Sequence, residues 1–93
     1  MENNIKSFFS DNNWDLIDNN KKAKKVFKFK TFTAAFAWMT EVAFEAEKLD
    51  HHPDWSNTYN TVNVLLSTHD EDKLTEKDII LASLMDKSFG KHN

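Results

Sequence analysis

The chain has 93 residues, 40% apolar and 13% aromatic, with eight Phe, three Trp, one Gly and one Pro. That length and make-up predict a single domain over residues 1–93 with a real hydrophobic core, and exclude disordered and fibrous classes. The absence of Cys excludes disulfides and thiolate metal sites, and a formal net charge of −3 argues against direct nucleic-acid binding.

Residues 3–10 are expected to form a short first helix carrying Ile5, Phe8 and Phe9. The opening stretch MENNIKSFFSDNN has no positive segment followed by an apolar core. No apolar run approaches the ~20 residues that span a bilayer. A cytoplasmic protein without membrane contact is therefore expected. NWDLID (13–18) reads as a short strand and DNNKK (18–22) as a turn. KVFKFK (25–30) alternates with period two and reads as the second strand of a hairpin. The enclosing run KKAKKVFKFK (21–30) could form a phosphate-binding patch. The acidic remainder of the chain favours the plainer reading: Phe27 and Phe29 face the core, Lys28 and Lys30 face water, and the lysines protect an edge strand.

From residue 31 to 50 the period changes. Phe32, Ala35, Phe36, Met39, Val42, Ala43, Ala46 and Leu49 recur at three- and four-residue steps, which predicts an amphipathic helix capped by Thr31 or Thr33. LDHHPDW (49–55) follows, and Pro53 biases His52 toward an extended backbone. WSNTYN (55–60) and TVNVLLST (61–68) read as two more strands, with Val62, Val64 and Leu66 on one face. HDEDK (69–73) is a polar loop. LTEKDIILASLMDKSF (74–89) is a last helix, in which Thr75 and Asp78 make a variant capping box and Gly90 is the expected stop. The order α-β-β-α-β-β-α predicts an α+β fold: a four-stranded antiparallel sheet with helices packed on one face. A domain this small gains from self-association, so a homo-oligomer is expected.

Three histidines fall in loops at element ends, where rigid scaffolds present reactive groups. His51 and His52 follow the long helix, and His69 follows the fourth strand. His92 is expected to be a solvated tail residue. Imidazoles titrate near neutrality, so three around one pocket could move protons in both directions without a metal or a covalent intermediate. Glu47 stands four residues before His51 and could orient that ring; alternatively it is a solvated partner of Lys48. Three His and a carboxylate could also hold zinc. Adjacent histidines in extended chain point to opposite faces, however, and no i, i+4 His pair occurs, so no metal site is expected. With no Gly-rich phosphate loop and no nucleophile motif, the residues alone support a small acid–base enzyme or a ligand-binding module.

The segment 47–78 resembles the pterin-4a-carbinolamine dehydratases. Glu47, three residues, His51, His52, Pro53, five residues, Tyr59, nine residues, His69, eight residues and Asp78 follow that family's signature. The likeness extends over about residues 14–88. It implies dehydration of a 4a-hydroxytetrahydropterin to quinonoid dihydropterin and water, which recycles the cofactor of aromatic amino acid hydroxylases. The pterin would be the substrate, with no cofactor. It implies His51, His52 and His69 as catalytic residues, with His52 as the base near N5 and His51 or His69 as the acid at the 4a-hydroxyl. Asp50, Ser67, Thr68 and Asp70 are implied at the substrate beside the three histidines, with Glu47, Trp55 and Asp78 in support. Trp55 could equally be core or rim, and the capping position of Asp78 could by itself account for it. By the same resemblance a homodimer or homotetramer is expected. The alternative function is a non-enzymatic dimerisation cofactor or transcriptional coactivator, as animal members also are.

Overall fold

In the structure, a computed structural model that describes residues 2–93, three helices cover one face of a four-stranded sheet. The elements are α1 (Glu2–Asp11), β1 (Asp15–Ile17), β2 (Lys22–Lys28), α2 (Phe32–Leu49), β3 (Asp54–Thr58), β4 (Thr61–Leu66), a 3-10 turn (His69–Glu71) and α3 (Glu76–His92). The sheet runs β1-β2-β4-β3 with every pairing antiparallel. The expected α+β fold and element order are those observed. Among the described residues no helix is long and apolar enough to cross a membrane.

The pairing of the two hairpins, which periodicity leaves open, is β2 on β4, from Ala23↔Leu66 to Lys28↔Thr61. This corrects the edge-strand expectation for the lysine-rich strand, which lies inside the sheet. Its lysines still make sense, because three-residue β1 covers only Lys22–Lys24 and leaves the rest of β2 open on that side. The strand also starts earlier than expected, in residues read as turn. The tight turn is instead Asp18, Asn19 and Asn20, all with φ between 54° and 64°, a conformation Asn and Asp tolerate better than most residues. Three lysines of the run meet carboxylates: Lys21 with Asp72 (3.1 Å), Lys22 with Asp18 (4.0 Å) and Lys25 with Asp86 (2.8 Å).

Ala23, Phe27, Val62, Val64 and Leu66 point from the sheet into the core, against Trp38, Val42, Leu81 and Met85 of the helices. Phe29 lies past the end of β2 and is still buried, because Asn60 clamps its backbone. Its N–H donates to the Asn60 carbonyl (2.9 Å), and its carbonyl accepts from Asn60 Nδ2 (2.8 Å). Trp38 is fully buried; its ring lies 4.6 Å from Phe27 and its indole N–H donates to the Met85 carbonyl (3.1 Å). A buried indole needs such a partner.

Two expectations fail in the helices. Helix α2 has two apolar stripes, and the core takes the one containing Ala35, Trp38, Val42 and Ala46. Phe32 and Phe36, expected inside, are exposed, as is Phe44. Helix α3 does not stop at Gly90 but continues to His92. Gly90 lacks the positive φ that would make it a stop, and the last turn is held from outside. Glu41 of α2 accepts from Lys91 Nζ (2.7 Å) and bonds His92 Nε2 (2.8 Å). His92 is thus a partly buried helix-end residue rather than a solvated tail. Lys91 first, then His92, hold the Glu41 carboxyl down at about 2, from 4.5.

Candidate active site

The candidate site begins where α2 ends. Thr31 caps its start, its Oγ1 accepting from Ala34 N (3.0 Å), and the other end closes on Asp50 at φ 53°, ψ 44°. Asp50 N–H donates to Glu47 O and His51 N–H to Ala46 O, both at 3.1 Å. This paired closure satisfies the last carbonyls and reverses the chain. The reversal sends His51 inward, where it is buried, and leaves His52 exposed. Pro53 then leads directly into β3.

His51 Nε2 lies 2.6 Å from Asp78 Oδ1, and Asp78, in the first turn of α3, is 0% exposed. The second carboxylate oxygen, Oδ2, accepts from Thr68 Oγ1 (2.7 Å) and from the Thr75 backbone N–H (3.0 Å). Thr68 and Thr75 are joined through their hydroxyls at 2.6 Å. Asp78 is therefore both half of a capping box and the partner of a site histidine. The two roles anticipated for it are compatible, because a carboxylate has two oxygens to share.

His69 comes from a different element, the 3-10 turn after β4. Thr68 N–H donates to Lys73 O (2.9 Å), and Asp72 N–H donates to His69 O (3.2 Å), so the 68–73 loop is a clipped 3-10 turn rather than an open loop. His69 opens that turn and joins Asp50, His51, His52, Pro53 and Asp54 around a cleft of about 410 Å³. Volumes of roughly 300–1,000 Å³ are usual for small-molecule sites. The adjacent pair His51 and His52 thus shares one cleft with His69, which lies beyond two strands in the sequence.

Other expected residues lie elsewhere. Glu47 bonds His52 Nε2 (2.9 Å), not His51. The i, i+4 argument fails because the helix has already ended at Leu49, and the reversal carries His51 away from the Glu47 side. Trp55 is half-buried against the core, 6.1 Å from Trp38, and does not line the cleft. Ser67 and Asp70, next in sequence to Thr68 and His69, do not line the cleft, and the Thr68 hydroxyl is engaged on Asp78 and Thr75. Asp54 was not anticipated. Its signal is its place one residue after Pro53, at the first position of β3.

Fold and cleft together define a small α+β domain that presents three imidazoles, one of them held by a buried carboxylate, to a single cleft. The Pterin 4 alpha carbinolamine dehydratase family model matches residues 1–88. The chain belongs to that family, and with it to the hydro-lyases. It is 51% identical over 78 residues to a protein of Jannaschia sp. (strain CCS1), covering 84% of this chain and 80% of the relative. It is 55% identical over 75 residues to one of Rhizobium meliloti (strain 1021), covering 81% and 72%. Both carry the provisional name pterin-4-alpha-carbinolamine dehydratase. The crystal structure of a "transcriptional coactivator/pterin dehydratase from Brucella Melitensis" superposes with a TM-score of 0.89 at 41% identity, covering 97% of each chain.

Proposed function

We propose that this protein dehydrates a 4a-hydroxytetrahydropterin to quinonoid dihydropterin and water by histidine acid–base catalysis, serving the recycling of a hydroxylase cofactor. One observation carries the reading: His51, His52 and His69 meet at a single cleft, in a chain of this family. The reaction breaks the C4a–O bond and the N5–H bond. The hydroxyl leaves as water after gaining a proton, and the electrons of the N5–H bond form the new C=N bond. A proton donor and a proton acceptor are sufficient, each contributing about 10²–10⁴-fold.

His51 Nε2 is occupied by Asp78, so Nδ1 is the ring atom left for the substrate. A ring held by a buried carboxylate suits the acid at the 4a-hydroxyl, since the carboxylate accommodates the charged ring before the proton leaves. His52 pairs with exposed Glu47 and is the proposed base at N5, with His69 as the other candidate acid. Asp50 lines the cleft and is proposed to bind the hydrogen-bonding edge of the pterin. Ser67 and Asp70 take outer positions around it. Single His→Ala variants at 51, 52 and 69 test the roles, and full activity in His52→Ala would sink the base assignment. Turnover abolished by a chelator would point to a metal site instead.

Self-association belongs to the same reading. Phe36 and Phe44 on α2 are 57% and 67% exposed and stand four residues either side of Thr40. A two-fold axis at Thr40 lays Phe36 of one copy against Phe44 of the other in antiparallel helices. Thr40 suits the axis because its hydroxyl is already bonded to Phe36 O within the helix (2.9 Å). Edge strand β3 offers a second self-pairing surface, and using both would give a homotetramer rather than a homodimer. The exposed aromatic stripe and the naming of the Brucella protein as a transcriptional coactivator also support a second reading, that of a protein-binding coactivator. Loss of all three cleft histidines would leave that role intact and abolish dehydration.

A further inference from the structure

The hydroxyls behind His51 form a chain whose proton directions are fixed by counting. Asp78 Oδ2 accepts from Thr75 N–H and from Thr68 Oγ1. A hydroxyl has one proton, and that of Thr68 is spent on Asp78. In the 2.6 Å contact between Thr68 Oγ1 and Thr75 Oγ1, Thr75 is therefore the donor. Two donors thus converge on Oδ2, while Oδ1 faces His51 Nε2 at 2.6 Å. A carboxylate already accepting on one oxygen from an N–H and an O–H is set to accept on the other as well. The shared proton then belongs to the histidine.

We propose that Thr68 and Thr75 are positioning residues. Through Asp78 their hydroxyls keep the His51 proton on Nε2 and leave Nδ1 as the ring atom that exchanges protons in the cleft. This rests on the dehydratase reading for its kinetic consequence only; the tautomer is a property of the protein alone. The charged and titratable groups around the His51 ring are Asp78 from α3, His69 from the 3-10 turn, Asp50 and His52 from the turn after α2, and Asp54 from β3. Of these, Asp78 is the one bonded to the ring. Thr68 and Thr75 line no part of the cleft.

The test is ¹⁵N NMR of the His51 ring beside turnover of the 4a-hydroxypterin, in wild type, Thr68→Val, Thr68→Ser and Thr75→Val. The wild-type neutral ring should carry its proton on Nε2. Thr68→Val should give a mixture with the Nδ1–H form and lower turnover about tenfold or more, the worth of one hydrogen bond to a charged group. Thr75→Val should move both readouts the same way by less, because Thr68 keeps its bond to Asp78. Thr68→Ser should restore both to within about twofold. The proposal is overturned if the wild-type ring is protonated on Nδ1, if Thr68→Val and Thr75→Val leave the tautomer unchanged whatever happens to turnover, or if Ser at 68 restores nothing. Were the protein to accelerate no dehydration at all, the dehydratase reading would fail, and the tautomer comparison would still decide the positioning role.

Discussion

Replacing Asp78 by Asn separates the two duties of this buried side chain. The amide keeps one oxygen, which satisfies Thr68 Oγ1 and Thr75 N–H on the capping side, where two donors converge. Its NH₂ then faces His51 Nε2, where Oδ1 lies 2.6 Å away in the wild type. Two donors cannot share that bond, so His51 must move its proton to Nδ1. Such a ring has no lone pair toward the cleft and, being neutral, is a poor acid, so it fails in either catalytic direction. The cost to the fold is the charge-assisted part of one bond, about 1.5–3 kcal/mol. The whole chain is expected to be stable by about 5–14 kcal/mol at 93 residues. Asp78→Asn should therefore remain folded by circular dichroism, with a lowered melting temperature. Its turnover of the 4a-hydroxypterin should fall about 10²–10⁴-fold, the usual contribution of one acid–base group. A folded Asp78→Asn protein turning over within about threefold of wild type would refute this assignment of His51 and Asp78.

Three further outcomes are expected. Asp50→Gly relieves a left-handed backbone at φ 53° and should stabilise by about 0.5–1 kcal/mol, or roughly 2–8 °C in a thermal melt; a concurrent loss of activity would place the Asp50 carboxylate at the pterin. Glu41 has its carboxyl lowered to about 2, from 4.5, by Lys91 and then His92. Its stabilising effect is therefore complete above about 4.5 and lost as the pH falls toward 2, and Glu41→Gln should flatten acid unfolding in that window alone. Phe44→Glu removes two symmetry-related aromatic contacts worth about 1.5–3 kcal/mol each, so it should weaken self-association about 10²–10⁴-fold in sedimentation; wild type that is monomeric at the same concentrations contradicts the two-fold pairing.

What could be read from the sequence divides along physical lines. Period-two alternation in KVFKFK and TVNVLL correctly separates Phe27, Phe29, Val62, Val64 and Leu66 from their outward neighbours, because a strand has only two faces. In α2 the same reasoning has to choose between overlapping apolar stripes. Counting Phe32 and Phe36 as core misses that Trp38 alone has the ring stack and the Met85 carbonyl to receive it. Gly90 misleads because a helix end depends on what holds it, and Glu41 lies 50 residues away in sequence from Lys91. The spacing of His51, His52, His69 and Asp78 brings into view three residues that line one cleft and a fourth that bonds one of them. The Asp50 reversal decides which carboxylate each histidine meets, and that backbone geometry is not written in the spacing. The Thr68–Thr75–Asp78 chain has no sequence signal beyond the capping pattern, since its geometry depends on where α3 docks on the end of β4.

One rate decides whether this protein works as a dehydratase. A 4a-hydroxypterin generated by an aromatic amino acid hydroxylase loses water slowly without help, and the step is followed by absorbance. The folded protein at neutral pH should accelerate this loss in proportion to its concentration, and the acceleration should disappear when His51 and His69 are both replaced by Ala. Folded protein that leaves the spontaneous rate unchanged would contradict it.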